Sequence, residues 1–329
     1  MTVLITGGAG FIGSHVVEAL LARGQEVVAL DSFDDFYPRE VKERNLEVAW
    51  SHEAFRLVEG DIRDQATLAA LPEVDAVIHL AARAGVRPSI EQPLLYWDVN
   101  LIGTARLLEF VRIRNVQAFV FASSSSVYGN NPKVPFSETD PVDRPISPYA
   151  ATKKAGELLC HTATHLNGTT TMCLRFFTVY GPRQRPDLAI HKFTRLLHEG
   201  RAIPMFGDGS TSRDYTYITD IVDGVEKALA WARENAHAHE VVNLGESRTV
   251  SLAEMIRLIG RLVGREPEIR RLPMQPGDVE RTYADVTKAK SLFGCGPRTD
   301  FEDGLRMFID WFQNQLDENR RTPKRGVGG

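Results

Sequence analysis

Apolar positions along the chain change period repeatedly. Val3-Leu4-Ile5-Thr6 is a short apolar run, and after Gly7-Gly8-Ala9-Gly10-Phe11-Ile12-Gly13 the residues Val16, Val17, Ala19, Leu20 and Leu21 recur at helical spacing. Gly24 closes that helix, and Glu26-Val27-Val28-Ala29-Leu30 reads as a second strand with Asp31 at its carboxyl end. Phe55-Arg56-Leu57-Val58, Val74 to Leu80, Phe119-Val120-Phe121-Ala122 and Cys173-Leu174-Arg175-Phe176-Phe177 continue the strand series. Helical stretches lie between them, one running from about Tyr96 through Asn100 and Gly103 to Arg114. Unbroken apolar strands alternating with helices predict a parallel sheet covered on both faces, an α/β doubly wound fold of Rossmann type.

The later chain is less regular. Ser147 and Pro148 predict an N-cap and first helical residue, which puts Tyr149 and Lys153 four apart on one helix face. Thr178 to Asp187 reads as a break in regular structure, followed by a helix from about Ala189 to Glu199. Val250 to Gly264 reads as an amphipathic helix capped by Ser251 or Thr249, with Leu252, Ile256, Ile259 and Leu262 or Val263 as its core stripe.

Composition narrows the function classes. Lys plus Arg is 39 against Asp plus Glu 43, a formal charge of −4, which points away from nucleic acid and anionic membrane as partners. The longest apolar runs are broken by charge or histidine, as at Asp75 and His79, so no membrane span is expected. Cys160, Cys173 and Cys295 have no metal-ligand spacing and cannot all pair, which suits a reducing compartment and a cytoplasmic location. The histidines are scattered, so no metal is expected. The basic cluster at 320–325 reads as a frayed tail.

Candidate chemistry sits at the carboxyl ends of the strands. Strand, glycine loop and helix together make Gly7, Gly8, Gly10 and Gly13 a dinucleotide-binding pattern, with the pyrophosphate at the helix N-terminus. Asp31 is placed to accept both ribose hydroxyls of an adenosine and would repel a 2′-phosphate, which favours NAD over NADP. Asp61 either meets the adenine amino group or caps the segment after it, and Ala81-Ala82 leave room for a cofactor against the backbone. The hydroxyls of Ser123 to Ser126 end a strand where ligands bind in open α/β sheets, although a serine-rich turn is the other reading. A tyrosine pKa of about 10 must fall to about 7 for base catalysis, roughly 4 kcal/mol of phenolate stabilisation. Lys153, the helix dipole and a cationic cofactor ring all act in that direction.

With these motifs, His79-Leu80-Ala81-Ala82 and Arg213-Asp214-Tyr215, the sequence resembles the extended short-chain dehydrogenase/reductases, specifically the nucleotide-sugar epimerases and dehydratases, from Thr2 to about Asp310. The resemblance implies catalysis by Ser124, Tyr149 and Lys153, with Tyr149 the base and Lys153 both a ribose ligand and the group lowering the tyrosine pKa. It implies NAD held by Gly7, Gly10, Phe11, Ile12, Gly13, Asp31, Asp61, Ile62, Leu80, Ala81, Ala82 and Asn100, besides Tyr149 and Lys153. It implies a UDP-sugar held by Arg87, Ser125, Ser126, Thr178 and Arg185, with Phe206 near the uracil, Arg213 on the pyrophosphate and Asp278 on the ribose. Gln275 stands where many relatives carry Arg. It further implies an NAD domain over 1–175 to which the chain returns at about 213–246, an interleaved, mainly substrate-binding domain over 176–318, and a tail over 319–329. Homodimers through helices near 100–113 and 149–166 also follow from it.

The reaction within that family is narrowed by departures. Dehydratases carry Asp and Glu at the positions of Ser125 and Ser126, and UDP-glucuronate decarboxylases carry Glu at the second. Two serines here leave hydride return to the opposite face of a 4-keto sugar. Thr178, Arg185 and Ala84-Gly85-Val86-Arg87 resemble the UDP-glucuronate 4-epimerases, where charge-assisted donors would meet the sugar carboxylate. A loop ion pair with Asp187 is the other reading of Arg185. The alternatives are a UDP-glucose 4-epimerase, a UDP-glucuronate decarboxylase, and a catalytically silent NAD or nucleotide-sugar binding protein, the last of which predicts a broken catalytic set.

Overall fold

A computed structural model describes residues 1–274 and 279–321. Its centre is a seven-stranded parallel sheet of β1 (Thr2–Thr6), β2 (Glu26–Asp31), β3 (Phe55–Glu59), β4 (Ala76–His79), β5 (Ala118–Ser124), β6 (Thr170–Phe176) and β7 (His239–Leu244). The spatial order is β7-β6-β5-β4-β1-β2-β3. Strand order reverses between β1 and β4, and the crevice beyond their carboxyl ends is where a doubly wound sheet binds its ligand.

Apolar residues alternate between two buried faces. Val3, Ile5, Val27, Ile78 and Val120 pack with Val16 and Leu20 of the helix Phe11–Ala22 and with Ile221 and Val225 of the helix Ile218–Glu234. Leu4, Val28, Val77, Phe119 and Phe121 pack with Leu107 and Val111 of the helix Gly103–Ile113 and with Cys160 and Ala163 of the helix Pro148–Asn167. His79 is buried between the hydroxyls of Thr6 at 2.7 Å and Thr104 at 2.9 Å, joining β1, β4 and that first helix. Burial holds its pKa down to about 3.

Local signals fall where the chain uses them. Ser147 Oγ accepts from Ala150 N, Pro148 opens the 20-residue helix, and Gly168 ends it in the left-handed conformation. Ser251 rather than Thr249 caps the helix Leu252–Val263. The stretch near Tyr96 is not one regular helix, because a π-helical segment, Trp97–Ile102, joins Pro93–Tyr96 to Gly103–Ile113. The expected break after Phe177 begins with a short strand, Thr178–Tyr180, which pairs with Tyr215–Tyr217. Buried Asp214 accepts the backbone N–H groups of Glu246, Ser247 and Ala284 and so gathers three distant segments. The chain then re-enters the sheet through the helix Ile218–Glu234 and β7.

A buried ion pair lies behind the crevice. Glu157 accepts from Arg175 Nε at 2.8 Å and Nη2 at 2.9 Å, with both side chains at most 2% exposed. Ser123 Oγ donates to the same carboxylate, Arg175 Nη1 donates to Tyr128 Oη, and Tyr128 donates to Asn243 Oδ1. Truncating one partner leaves the other charge buried and unpaired. Glu157→Ala should therefore lower unfolding free energy in urea by about 3–5 kcal/mol, and a loss no larger than an exposed pair gives, about 1 kcal/mol or less, would contradict this.

Candidate active site

One cavity of about 510 Å³ opens over the strand ends. Its floor is the glycine loop. Gly7 has φ +72°, and a Cβ there would lie 2.8 Å from Ala81 N; a Cβ on Gly13 would lie 2.1 Å from Gly7 O. Only glycine allows helix Phe11–Ala22 to start this close to β1, and its N-cap, Gly10, supplies no side-chain oxygen to the first-turn N–H groups. That cradle fits a pyrophosphate. Phe11, Ile12, Ile62, Leu80, Ala81 and Ala82 line the same cavity.

Asp31 lines the cavity at the carboxyl end of β2. Its carboxylate accepts from Ala9 N at 3.0 Å and Phe33 N at 2.9 Å, and Lys42 Nζ stands 3.9 Å away. Burial raises its pKa, against the pull of Lys42. Asp61 lines the cavity but is held by Arg63 through both carboxylate oxygens, which lowers its pKa. Asp64, not Asp61, caps the following short helix.

At the other end Ser124, Tyr149 and Lys153 meet as the sequence predicts. Ser124 Oγ accepts from Ser126 N at 3.2 Å and stands near enough to the Tyr149 phenol to act on its titration. Burial pushes that phenol above its usual pKa, while the Ser124 hydrogen bond and the charge of Arg185 oppose the rise. Lys153 donates to Ala122 O at 2.7 Å, lies 5.9 Å from the Tyr149 ring centroid, and is held down to about 8 by burial. Arg185, which the sequence placed only at the sugar, adds a cation that favours the phenolate.

Ser125, Ser126, Thr178, Arg185 and Arg213 line the remaining wall. Ser126 Oγ is buried with no hydrogen-bond partner among the described residues. Arg185 donates Nε and Nη2 to Asp187 at 3.0 and 2.9 Å, so the loop ion pair exists. Arg87 and Phe206 stack on each other at 4.9 Å, beyond the cavity lining. Asn100 stands behind the wall, its amide gripping the Arg83 N–H and carbonyl and reaching Thr152 Oγ1. Gln275 and Asp278 lie outside the described residues.

Several lining residues carried no sequence signal, among them Asp34, Phe36, Tyr37, Lys42 and Arg83. Arg83 pairs with Asp34, an acidic residue 49 positions earlier. Nothing in local spacing announces such a contact. Among the described residues no helix is long and apolar enough to cross a membrane, and no group of His, Cys, Asp and Glu could hold a metal ion.

Comparison with known proteins places this geometry. Residues 3–245 match the NAD dependent epimerase/dehydratase family. The chain is 40% identical to the UDP-glucuronate 4-epimerase of Thermodesulfobacterium geofontis, over 95% of this chain and 97% of that protein. The crystal structure of UDP-glucuronic acid 4-epimerase from Bacillus cereus, in complex with UDP-glucuronic acid and NAD, superposes with a TM-score of 0.89 at 34% identity, covering 96% of this chain and 100% of that one. UDP-glucose 4-epimerase from Thermotoga maritima with UDP-glucose gives 0.87 at 33% identity, covering 96% and 100%.

The electrostatics can be read directly by titration. Replacing Arg185 with Gln removes a cation that favours phenolate, so the Tyr149 pKa should rise. Ultraviolet difference titration against the Tyr149→Phe protein measures it, and an unmoved or lowered midpoint would contradict the assignment.

Proposed function

The chain belongs to the NAD dependent epimerase/dehydratase family, and on that premise we propose that it interconverts UDP-glucuronate and UDP-galacturonate. It is an NAD-dependent enzyme that epimerises a UDP-sugar at C4. NAD, when bound, takes a hydride from C4 and returns it. Tyr149 accepts the C4 hydroxyl proton at Oη and gives it back, and Ser124, beside the phenol, hydrogen-bonds that hydroxyl. Lys153 would hold the cofactor ribose when NAD is bound. Arg213 holds the UDP pyrophosphate while the 4-keto sugar turns over about that link.

The observation that carries the choice of sugar is the wall opposite Tyr149. It presents the hydroxyl of Thr178 and the guanidinium of Arg185, with no carboxylate at 125 or 126 to drive elimination. Asp187 engages only Nε and Nη2 of Arg185, which leaves Nη1 for the C5 carboxylate. These donors suit a hexuronate better than the neutral hydroxymethyl of glucose. They also answer a chemical hazard. The 4-keto hexuronate is a β-keto acid, and it loses CO2 most readily when its carboxylate is desolvated and perpendicular to the carbonyl plane. Donors that hold the carboxylate off that geometry let hydride return win.

The same reading places the enzyme in the cytoplasm as a homodimer. Exposed Leu94, Ile102 and Ile113 lie on the 93–113 segment, and exposed Leu158 and Leu166 on the neighbouring helix Pro148–Asn167. An apolar set of this kind on two packed helices suits self-association.

Purified protein incubated separately with UDP-glucuronate, UDP-glucose and dTDP-glucose should turn UDP-glucuronate into UDP-galacturonate, read by NMR of the sugar protons. Turnover of UDP-glucose alone would transfer the assignment to that sugar, and a 6-deoxy-keto product would end it. Tyr149→Phe should lower kcat by roughly 10²- to 10⁴-fold. Arg185→Ala and Thr178→Ala should release more UDP-pentose; weaker binding with no pentose would count against the role given to these donors.

A further inference from the structure

The loop after β2 reaches across the cavity to the sugar wall. Asp34 makes a turn with Phe36, whose N–H donates to Asp34 Oδ1 at 2.9 Å. The same oxygen pairs with Arg83 Nη1, and Lys42 Nζ donates to the Asp34 carbonyl at 2.7 Å. Arg83 is itself fixed, because Asn100 holds both ends of its peptide at 2.8 and 3.0 Å. These bonds set the Phe36 ring between two guanidiniums. The Arg83 and Arg185 Cζ atoms each lie 5.1 Å from its centroid.

Arg185 therefore has two supports. Asp187 accepts from two nitrogens of its fork, and the Phe36 ring lies against the guanidinium with its centroid 5.1 Å from Cζ. Either alone would let the long side chain swing. Together they decide which way the remaining donor edge points within the cavity that Tyr149, Ser126 and Thr178 also line.

We propose that Phe36 is a specificity-determining positioning residue: by stacking on Arg185 it orients the guanidinium for a sugar carboxylate, from a loop anchored by the Asp34–Arg83 pair. The proposal rests on the reading of Arg185 as the carboxylate donor. It goes further by assigning sugar discrimination to a phenyl ring that meets no polar part of the substrate. Asp31, the last residue of β2 just before this loop, is expected at the adenosine ribose, so on this reading one segment serves cofactor and sugar selection together.

The test is binding to the NAD-loaded protein, measured calorimetrically with UDP-glucuronate and with UDP-glucose, with NAD content of each preparation determined after denaturation. A cation–π contact corresponds to roughly 2- to 30-fold in an equilibrium constant. Phe36→Leu should weaken UDP-glucuronate by a factor in that range, leave UDP-glucose and NAD content unchanged, and raise the UDP-pentose fraction. Phe36→Tyr keeps the ring and should keep wild-type discrimination. Equal weakening of both sugars, weakening of neither, or loss of NAD from Phe36→Leu would show a packing role and overturn the proposal. Arg185→Gln is the control on the underlying reading. If it leaves discrimination between the two sugars intact, the carboxylate assignment itself falls; if it abolishes discrimination while Phe36→Leu does not, only the role of Phe36 falls.

Discussion

Everything at the reacting end of the cavity leans on the buried Glu157–Arg175 pair. It joins the helix that carries Tyr149 and Lys153 to β6, and through Ser123 and Tyr128 it reaches the serine turn and β7. Two charges inside a core cost several kcal/mol each in lost solvation, which only full hydrogen bonding offsets. Here the carboxylate also accepts from Ser123 and Lys154, and the guanidinium reaches a tyrosine hydroxyl. What such a network contributes beyond apolar packing is geometry. Ser124, the next residue after Ser123, is held against Tyr149 because the strand end and the helix share one rigid polar joint.

Cations around that joint divide the work. Lys153 is buried, bonded to a backbone carbonyl and directed at the strand end rather than at the phenol oxygen. Arg185, from a loop far along the chain, adds a charge that favours the phenolate. On the proposed reading, a residue in this position serves proton transfer and carboxylate recognition at once. The two roles are coupled, since a bound carboxylate partly neutralises the charge that acidifies Tyr149. The hydride step and the fate of the keto sugar are thus not controlled by separate groups.

How far the sequence reveals this varies with the range of the interaction. The glycine loop, Asp31, Ser124 and the Tyr149–Lys153 pair are legible because each is a local pattern with one steric or electrostatic meaning, and the cavity gathers them. The Glu157–Arg175 joint is half legible: Glu157 is four residues beyond Lys153, and Arg175 interrupts an apolar strand, a sign that a buried partner exists. Phe36, Arg83 and Lys42 give no sign, because their function comes from a loop folding over the sheet. Asn100 and Asp61 are placed at the right region but occupied by Arg83 and Arg63, so spacing located them without revealing their partners. The π-helical segment at Trp97–Ile102 and the strand at Thr178 were hidden by tertiary pairing that local propensity does not encode.

In the proposed reaction the hydrogen removed from C4 is the one returned to it. UDP-glucuronate carrying deuterium at C4, incubated with the enzyme in ordinary water, tests that claim most directly. The account predicts UDP-galacturonate that retains the C4 deuterium, by NMR and mass spectrometry. Product with protium at C4, or labelled pentose in place of hexuronate, would contradict it.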